Sequence, residues 1–563
     1  MLVAVAVALF GGCAASDDGG RGGPVEEHAD LVLWNGRIAT LDDAQPEVAA
    51  LAARGDRLVA LGDRATIEPL VGPQTTVVDL EGALAVPGLI DAHAHFLGIG
   101  DAMSQLDLRE ARSWEEIVRQ VEAAVAEADD GAWIRGFGWH QAKWDSPVEP
   151  SIEGYPVHAS LSAVSPEHPV LLTHASGHAS FANRRAMELA GVDASTEAPP
   201  GGEILHDASG QPTGLFNESA ATLIDQARSA DPATLRAEVD RMIELASGEV
   251  LAKGLTSFHD AGTEPELIRM LHDAAQDGRL GVRLWMMVGG TNEQIEPHLA
   301  EMGEIEHPLL NVGGIKRYMD GALGSRGAWL LEPYSDQPDS VGLALAEIDD
   351  LRETARLALA HDLQLAVHAI GDRANREVLD LYAEALVGTE DRRWRIEHAQ
   401  HLSSADIGRF AELGVIASMQ PVHATSDGPW VPDRLGQKRS EEGAYLWRTL
   451  LDSGATVISG TDAPVEDVDP LANFRAAVTR AMSTGEAFYP AQAMRREEAL
   501  ASMTRDAAWA VFEGDQKGTL EVGKFADVTV LSHDILEVPV DQLDDARVLY
   551  TIVGGEVAYR ATP

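Results

Sequence analysis

The sequence predicts an α/β protein: a TIM-like (β/α)8 barrel joined to a composite β-sandwich built from both chain ends. Three observations predict it. Apolar strand-like runs alternate with helical stretches through the middle of the chain, the pattern of a parallel sheet with crossover helices. Short strand signals separated by turn residues crowd both ends, and neither end has enough apolar strand to bury a core alone. Several central runs stop at a histidine, a lysine or an aspartate, and in such barrels the strand C-termini form the working rim.

Taken in order, residues 1–13 open with an almost wholly apolar run that leads into Gly11-Gly12-Cys13-Ala14-Ala15-Ser16. This reads as the hydrophobic part of a secretory signal ending in a lipobox-like site, with Cys13 as the lipidated residue of an exported, periplasmic or cell-envelope lipoprotein. The run is too short to span a bilayer as a helix. Residues 14–28 are Gly- and Asp-rich and read as a flexible tether. Cys13 is the single cysteine, so its lipidation leaves no thiol for a disulfide or for nucleophilic chemistry.

Residues 29–86 carry strand signals with an Asn35-Gly36 turn and a Gly55-Asp56 turn. Residues 516–563 read the same way, and the two pieces together are expected to form the sandwich. The barrel is expected over 87–515, with strand runs at 85–95, 255–261, 282–288, 313–320, 363–369, 394–399, 415–421 and 456–462. Helices are expected at 232–253 and 349–361, among others. An insertion at about 101–235, rich in Trp and His, is expected to cover the barrel mouth.

The charge excludes one class of partner. The 43 Lys and Arg against 90 Asp and Glu give a net charge of −47, which repels nucleic acid. The expected partner is a small-molecule substrate. A homodimer is the one protein assembly expected, and the membrane enters only through Cys13.

The strand ends assemble one constellation. Side chains two apart on a strand point the same way, so His93 and His95 project together and can grip one metal ion. Lys316 lies in the fourth run, His368 and His398 end the fifth and sixth, and Asp462 ends the eighth. Any one of these alone reads as structural; six at strand ends, in order, read as a site.

Those residues and the strings around them resemble a known family. Val86-Pro87-Gly88-Leu89-Ile90-Asp91 precedes His93. Gly314-x-Lys316-x-x-x-Asp320-Gly321-x-x-Gly324-Ser325-Arg326, His368-Ala369-Ile370-Gly371-Asp372 and Glu397-His398-Ala399-Gln400 follow, and Pro200-Gly201-Gly202-Glu203-Ile204 also matches. The chain is similar, over nearly all of it beyond residue 28, to amidohydrolase-superfamily metal-dependent hydrolases of the amidohydrolase 3 group, the YtcJ-like and N-substituted formamide deformylase-like enzymes. Ser176-Gly177-His178 stands where that group often has Asp-Gly-His, a departure in the expected substrate pocket.

The resemblance implies a metallo-dependent hydrolase barrel holding one or two divalent ions, expected to be zinc. His93, His95 and Asp462 would hold one ion and His368 with His398 the second, bridged by a carboxylated Lys316. A mononuclear site with unmodified Lys316 stays open beside it. The implied chemistry is attack of a metal-activated hydroxide on a carbonyl, with Asp462 as the catalytic proton carrier. His178, Trp139, Arg326 and His423 are the substrate-binding candidates; His178 is open to the alternative of a lid residue packed in the insertion, Trp139 to that of the insertion's small core, and Arg326 to that of ordering its own loop. The expected substrate is a non-peptide C–N bond in an N-acyl or N-formyl amine or a cyclic amide. An ester, lactone or carbamate, and a non-catalytic binding lipoprotein, remain as alternatives.

Overall fold

The computed structural model describes residues 28–141, 144–174, 179–199, 202–228, 232–389 and 391–562. The signal-like segment with Cys13, the tether to residue 27, and His178 lie outside the described residues. Among the described residues, no helix is long and apolar enough to cross a membrane.

Eight parallel strands follow one another around the barrel in chain order. They are Leu89–Ala94, Leu255–Thr263, Arg283–Gly289, Leu310–Tyr318, Gln364–Ala369, Arg395–His398, Ile416–Met419 and Val457–Ser459. Each predicted run supplies one. The runs are continuously apolar because both faces are covered: the first strand is buried at every residue. The helix Pro265–Gln276 shows the complementary pattern. It buries Ile268, Leu271, Ala274 and Ala275, one stripe at helical spacing, and starts with proline in its first turn.

The first and eighth strands share no ladder. Their seam is joined at the rim, where Asp462 N–H donates to the His93 carbonyl at 2.7 Å and His95 N–H donates to the Ala463 carbonyl at 2.8 Å. The barrel thus closes through the backbone of the residues at its working end.

The chain ends meet in one eight-stranded sheet. The predicted run 85–95 divides between that sheet and the barrel. Leu84–Pro87 pairs antiparallel with Val528–Leu531, and Leu89–Ala94 begins the barrel. Gly88 is the joint, where an added Cβ would collide with the Thr256 side chain. The expected Asn35-Gly36 turn does not form. Ala29–Ala39 runs through it as a single strand, irregular between Trp34 and Ile38, with Asn35 at φ 61°. The first half pairs with Val71–Asp79 and the second with Leu84–Pro87. Partners on both halves make a continued, bent strand better than a reversal.

The insertion has its own six-stranded sheet, from Leu106–Asp107 to Pro212–Glu218, and its own core around Trp114, Trp139, Phe181 and Leu215. Arg135 in this sheet ties it to the barrel, donating to Asp101 at 2.7 Å.

Barrel and end sheet are joined by a buried ion pair. Arg283 meets Asp527 at 2.7 and 3.0 Å, and its guanidinium lies 3.6 Å from the centre of the Phe525 ring. Asp527 also accepts from Gly554 N–H at 2.7 Å. Removing one partner strands the other charge in a low dielectric. Asp527→Ala is therefore expected to cost about 3–5 kcal/mol in denaturant unfolding; a loss under about 1 kcal/mol would show the pair to be dispensable.

Candidate metal centre

The barrel rim brings the six sequence-predicted residues together. His93 is fully buried, and His95, the residue before helix Phe96–Met103, is about one-third exposed at 32%. The Asp462 carboxylate lies 3.4 Å from His93 Nε2 and 3.3 Å from His95 Nε2. Lys316 is buried, with Nζ 3.4 Å from His93 Nε2. The His398 ring centre is 4.5 Å from that of His368 and 4.9 Å from that of His93. One ligand atom each of His93, His398 and Asp462 lies within 4.8 Å of the other two.

Local backbone aims these groups. His398 and Asp462 both adopt left-handed φ, 74° and 63°. Non-glycine residues pay of order 1–3 kcal/mol for such conformations, which persist where surrounding contacts over-determine them. For Asp462 those contacts come from Asp91, which accepts from Thr461 N–H at 3.0 Å, Thr461 Oγ1–H at 2.6 Å and His93 N–H at 3.2 Å. One carboxylate thereby holds both strand ends that flank the seam. Asp320 plays a similar part after the fourth strand, accepting from the backbone N–H of Trp329, Ile370 and Gly371 at 2.8–2.9 Å.

Ring orientation is set from behind. Glu397 accepts from His93 Nδ1, and Gln420 Oε1 accepts from His398 Nδ1 at 2.7 Å. Both contacts place a proton on Nδ1 and turn Nε2 to the rim, where it donates to a carboxylate when the ring is charged and ligates a cation when the ring is neutral. Burial, with the Lys316 charge adding to it, pushes His368 down to about 3. Burial and the neighbouring histidines hold His398 well below its usual range. Burial lowers Lys316, against the opposing pull of Glu397 and Asp462. Burial alone would raise Asp462, but hydrogen bonds from His93 and His95 hold it well below the usual carboxylate range.

The donor set fits a divalent cation. It offers imidazoles, of which burial favours the neutral form at His368 and His398, and a carboxylate held low at Asp462, the groups that ligate zinc. Among the described residues, the Nε2 atoms of His368 and His423 are buried without a hydrogen-bond partner, as expected of nitrogens reserved for a ligand.

Two of the substrate-binding candidates have partners within their own segments. Trp139 is wholly buried, its indole N–H donates to the Leu172 carbonyl at 2.9 Å, and its ring stacks on Trp144 in the insertion's core. It packs in the insertion's own core. Arg326 is committed to Asp336 at 2.8 and 3.1 Å, so it orders its loop, the alternative already weighed for it. His423 sits where its position predicts, its Nε2 4.0 Å from the Asp462 carboxylate and its ring parallel to His398.

Sequence reasoning assigns no part to Tyr318, Arg395 or Gln420, and quotes Glu397 only within a motif. Tyr318 follows Lys316 by two residues and stands 45% exposed, its ring 5.5 Å from that of His368. The available signal was alternation: in Arg395-Ile396-Glu397 two charges share one face of a strand buried at every residue.

Comparison with known proteins gives a consistent picture. The model of the Amidohydrolase family matches residues 76–559. Protein LONG AFTER FAR-RED 3 of Arabidopsis thaliana is 35% identical over 549 residues, covering 94% of this chain and 92% of that protein. The N-substituted formamide deformylase of Arthrobacter pascens is 29% identical over 550 residues, covering 95% and 99%. The crystal structure of an uncharacterized metal-dependent hydrolase from Pyrococcus horikoshii superposes with a TM-score of 0.77 at 27% identity, covering 91% of this chain and 99% of that one.

Proposed function

Because the chain belongs to the amidohydrolase family of metal-dependent hydrolases acting on small molecules, we propose that it hydrolyses a carbon–nitrogen bond other than a peptide bond, in an N-formyl or N-acyl amine or a cyclic amide. The observation that carries this reading is the Asp462 carboxylate, ionised and within 3.4 Å of both histidines of the first strand. The near full-length similarity to an N-substituted formamide deformylase supports the choice of bond.

His93, His95 and Asp462 would hold one cation, and His368 with His398 a second. A bound divalent cation, zinc by the character of its donors, lowers the pKa of water towards about 7 and polarises a carbonyl. Asp462 takes the proton released as water attacks and returns it to the departing amine, which leaves neutral. Burial favours the neutral amine of Lys316. That amine can attack carbon dioxide, forming an N–C bond and passing a proton to a neighbouring base, and the resulting carbamate would offer the cations an anionic ligand. Cys13 remains the proposed anchor of an exported lipoprotein.

The test is formate or amine release from a panel of N-alkyl formamides, N-acyl amines and cyclic amides by zinc-reconstituted protein. Turnover that a chelator abolishes and added zinc restores is expected. Fully loaded protein that turns over esters but no C–N substrate would overturn the reading.

A further inference from the structure

Beneath the rim a charged ladder crosses the barrel interior. Arg395 and Glu397 form an ion pair at 2.8 Å, and neither side chain has any exposed surface. Glu397 uses its other oxygen to accept from His93 Nδ1. Arg395 donates to the Ala92 carbonyl at 2.6 Å, to Ser418 Oγ at 3.0 Å and to the Glu397 carboxylate at 3.2 Å. Its remaining nitrogen lies 3.3 Å from His259 Nδ1. One guanidinium thus meets groups from the first, second, sixth and seventh strands, and it grips the main chain beside His93 as well as the carboxylate behind that ring.

A buried ion pair is a poor device for stability, because desolvation offsets most of its attraction. It is well suited to holding a ligand in one orientation. A carboxylate behind a metal-binding imidazole fixes its tautomer and raises its basicity. Glu397 can do both only while it is held in place, and Arg395 holds it: the guanidinium donates to the oxygen that also accepts from His93 and lies 2.8 Å from the other as an ion pair. We propose that Arg395 and Glu397 are positioning residues that set the affinity of the metal centre through His93. The proposal rests on the metal centre described above.

The test measures Zn2+ affinity, by chelator competition, of the wild type, of Glu397→Gln and of the double variant Arg395→Met/Glu397→Leu. Unfolding midpoints of the metal-free proteins are measured alongside. Glu397→Gln keeps the shape but leaves one side of the group unable to accept. The double variant removes both charges together and leaves no stranded ion, so it is expected to fold. Both are expected to bind Zn2+ about 10–100-fold more weakly, with the metal-free midpoint of the double variant close to wild type. Unchanged affinity in Glu397→Gln overturns the proposal. So does affinity lost in Glu397→Gln and restored in the double variant, since that marks a purely structural pair. Wild-type protein that binds no Zn2+ would instead overturn the metal centre itself.

Discussion

Asp462→Asn is expected to lower kcat by about 10³-fold or more while zinc content stays at the wild-type level. The amide keeps an oxygen toward His93 and His95 and keeps the size of the side chain, so the histidines still gather a cation. It cannot take up and return a proton, a function worth about 10²–10⁴-fold in rate. The position is not free to relax away from this role. Its N–H is bonded to the His93 carbonyl at 2.7 Å and its neighbour Thr461 is held twice by Asp91. The readouts are metal per chain and steady-state turnover of the best C–N substrate. Near-normal turnover would remove Asp462 from proton transfer.

Lys316→Met is expected to leave at most one cation per chain and to reduce kcat by at least about a hundredfold, some 3 kcal/mol of barrier. The methionine fills the same buried tunnel beside Gly262, where an added Cβ would sit 3.1 Å from the lysine stem, so the fold is expected to survive. Wild-type protein weighed under non-denaturing conditions is expected to exceed its sequence mass by one carbon dioxide. The variant is not. Acetate or formate added to the variant is expected to return part of the activity by supplying a carboxylate near the vacated nitrogen. A variant with a full metal complement and undiminished turnover would establish the unmodified, mononuclear alternative.

The placement of these two residues on one rim is legible in the sequence, and the reason is periodicity. A parallel barrel buries both faces of every strand, so its strands are written as apolar runs, and a polar residue closing such a run is conspicuous. The eight runs were found on that signal, and the family followed from the strings at their ends. The same logic falters where a run crosses between two sheets. Nothing in 85–95 marks a boundary except Gly88, whose meaning lies in its collision with Thr256, a residue far along the chain. Asn35-Gly36 is a good local turn signal, yet pairing on both sides keeps the strand extended.

Roles that depend on a partner were hidden for the same reason. Trp139 and Arg326 have the chemistry of substrate-binding residues. The first is filled in by Trp144 and Phe181, and the second is claimed by Asp336. Arg395 and Glu397 read as an awkward charge pair in an apolar strand until Ala92, His93, His259 and Ser418 close around them. By itself, the sequence determined the barrel, the family and the order in which candidate ligands reach the rim, because hydrophobic period and strand-end chemistry are local properties of the chain. Only the tertiary structure decided which polar groups gather into a candidate cation site, which face one another and which merely pack. Hydrogen bonds and ion pairs act over about 3 Å, and the residues they join here lie up to several hundred positions apart, as His93 and Glu397 do at a separation of 304.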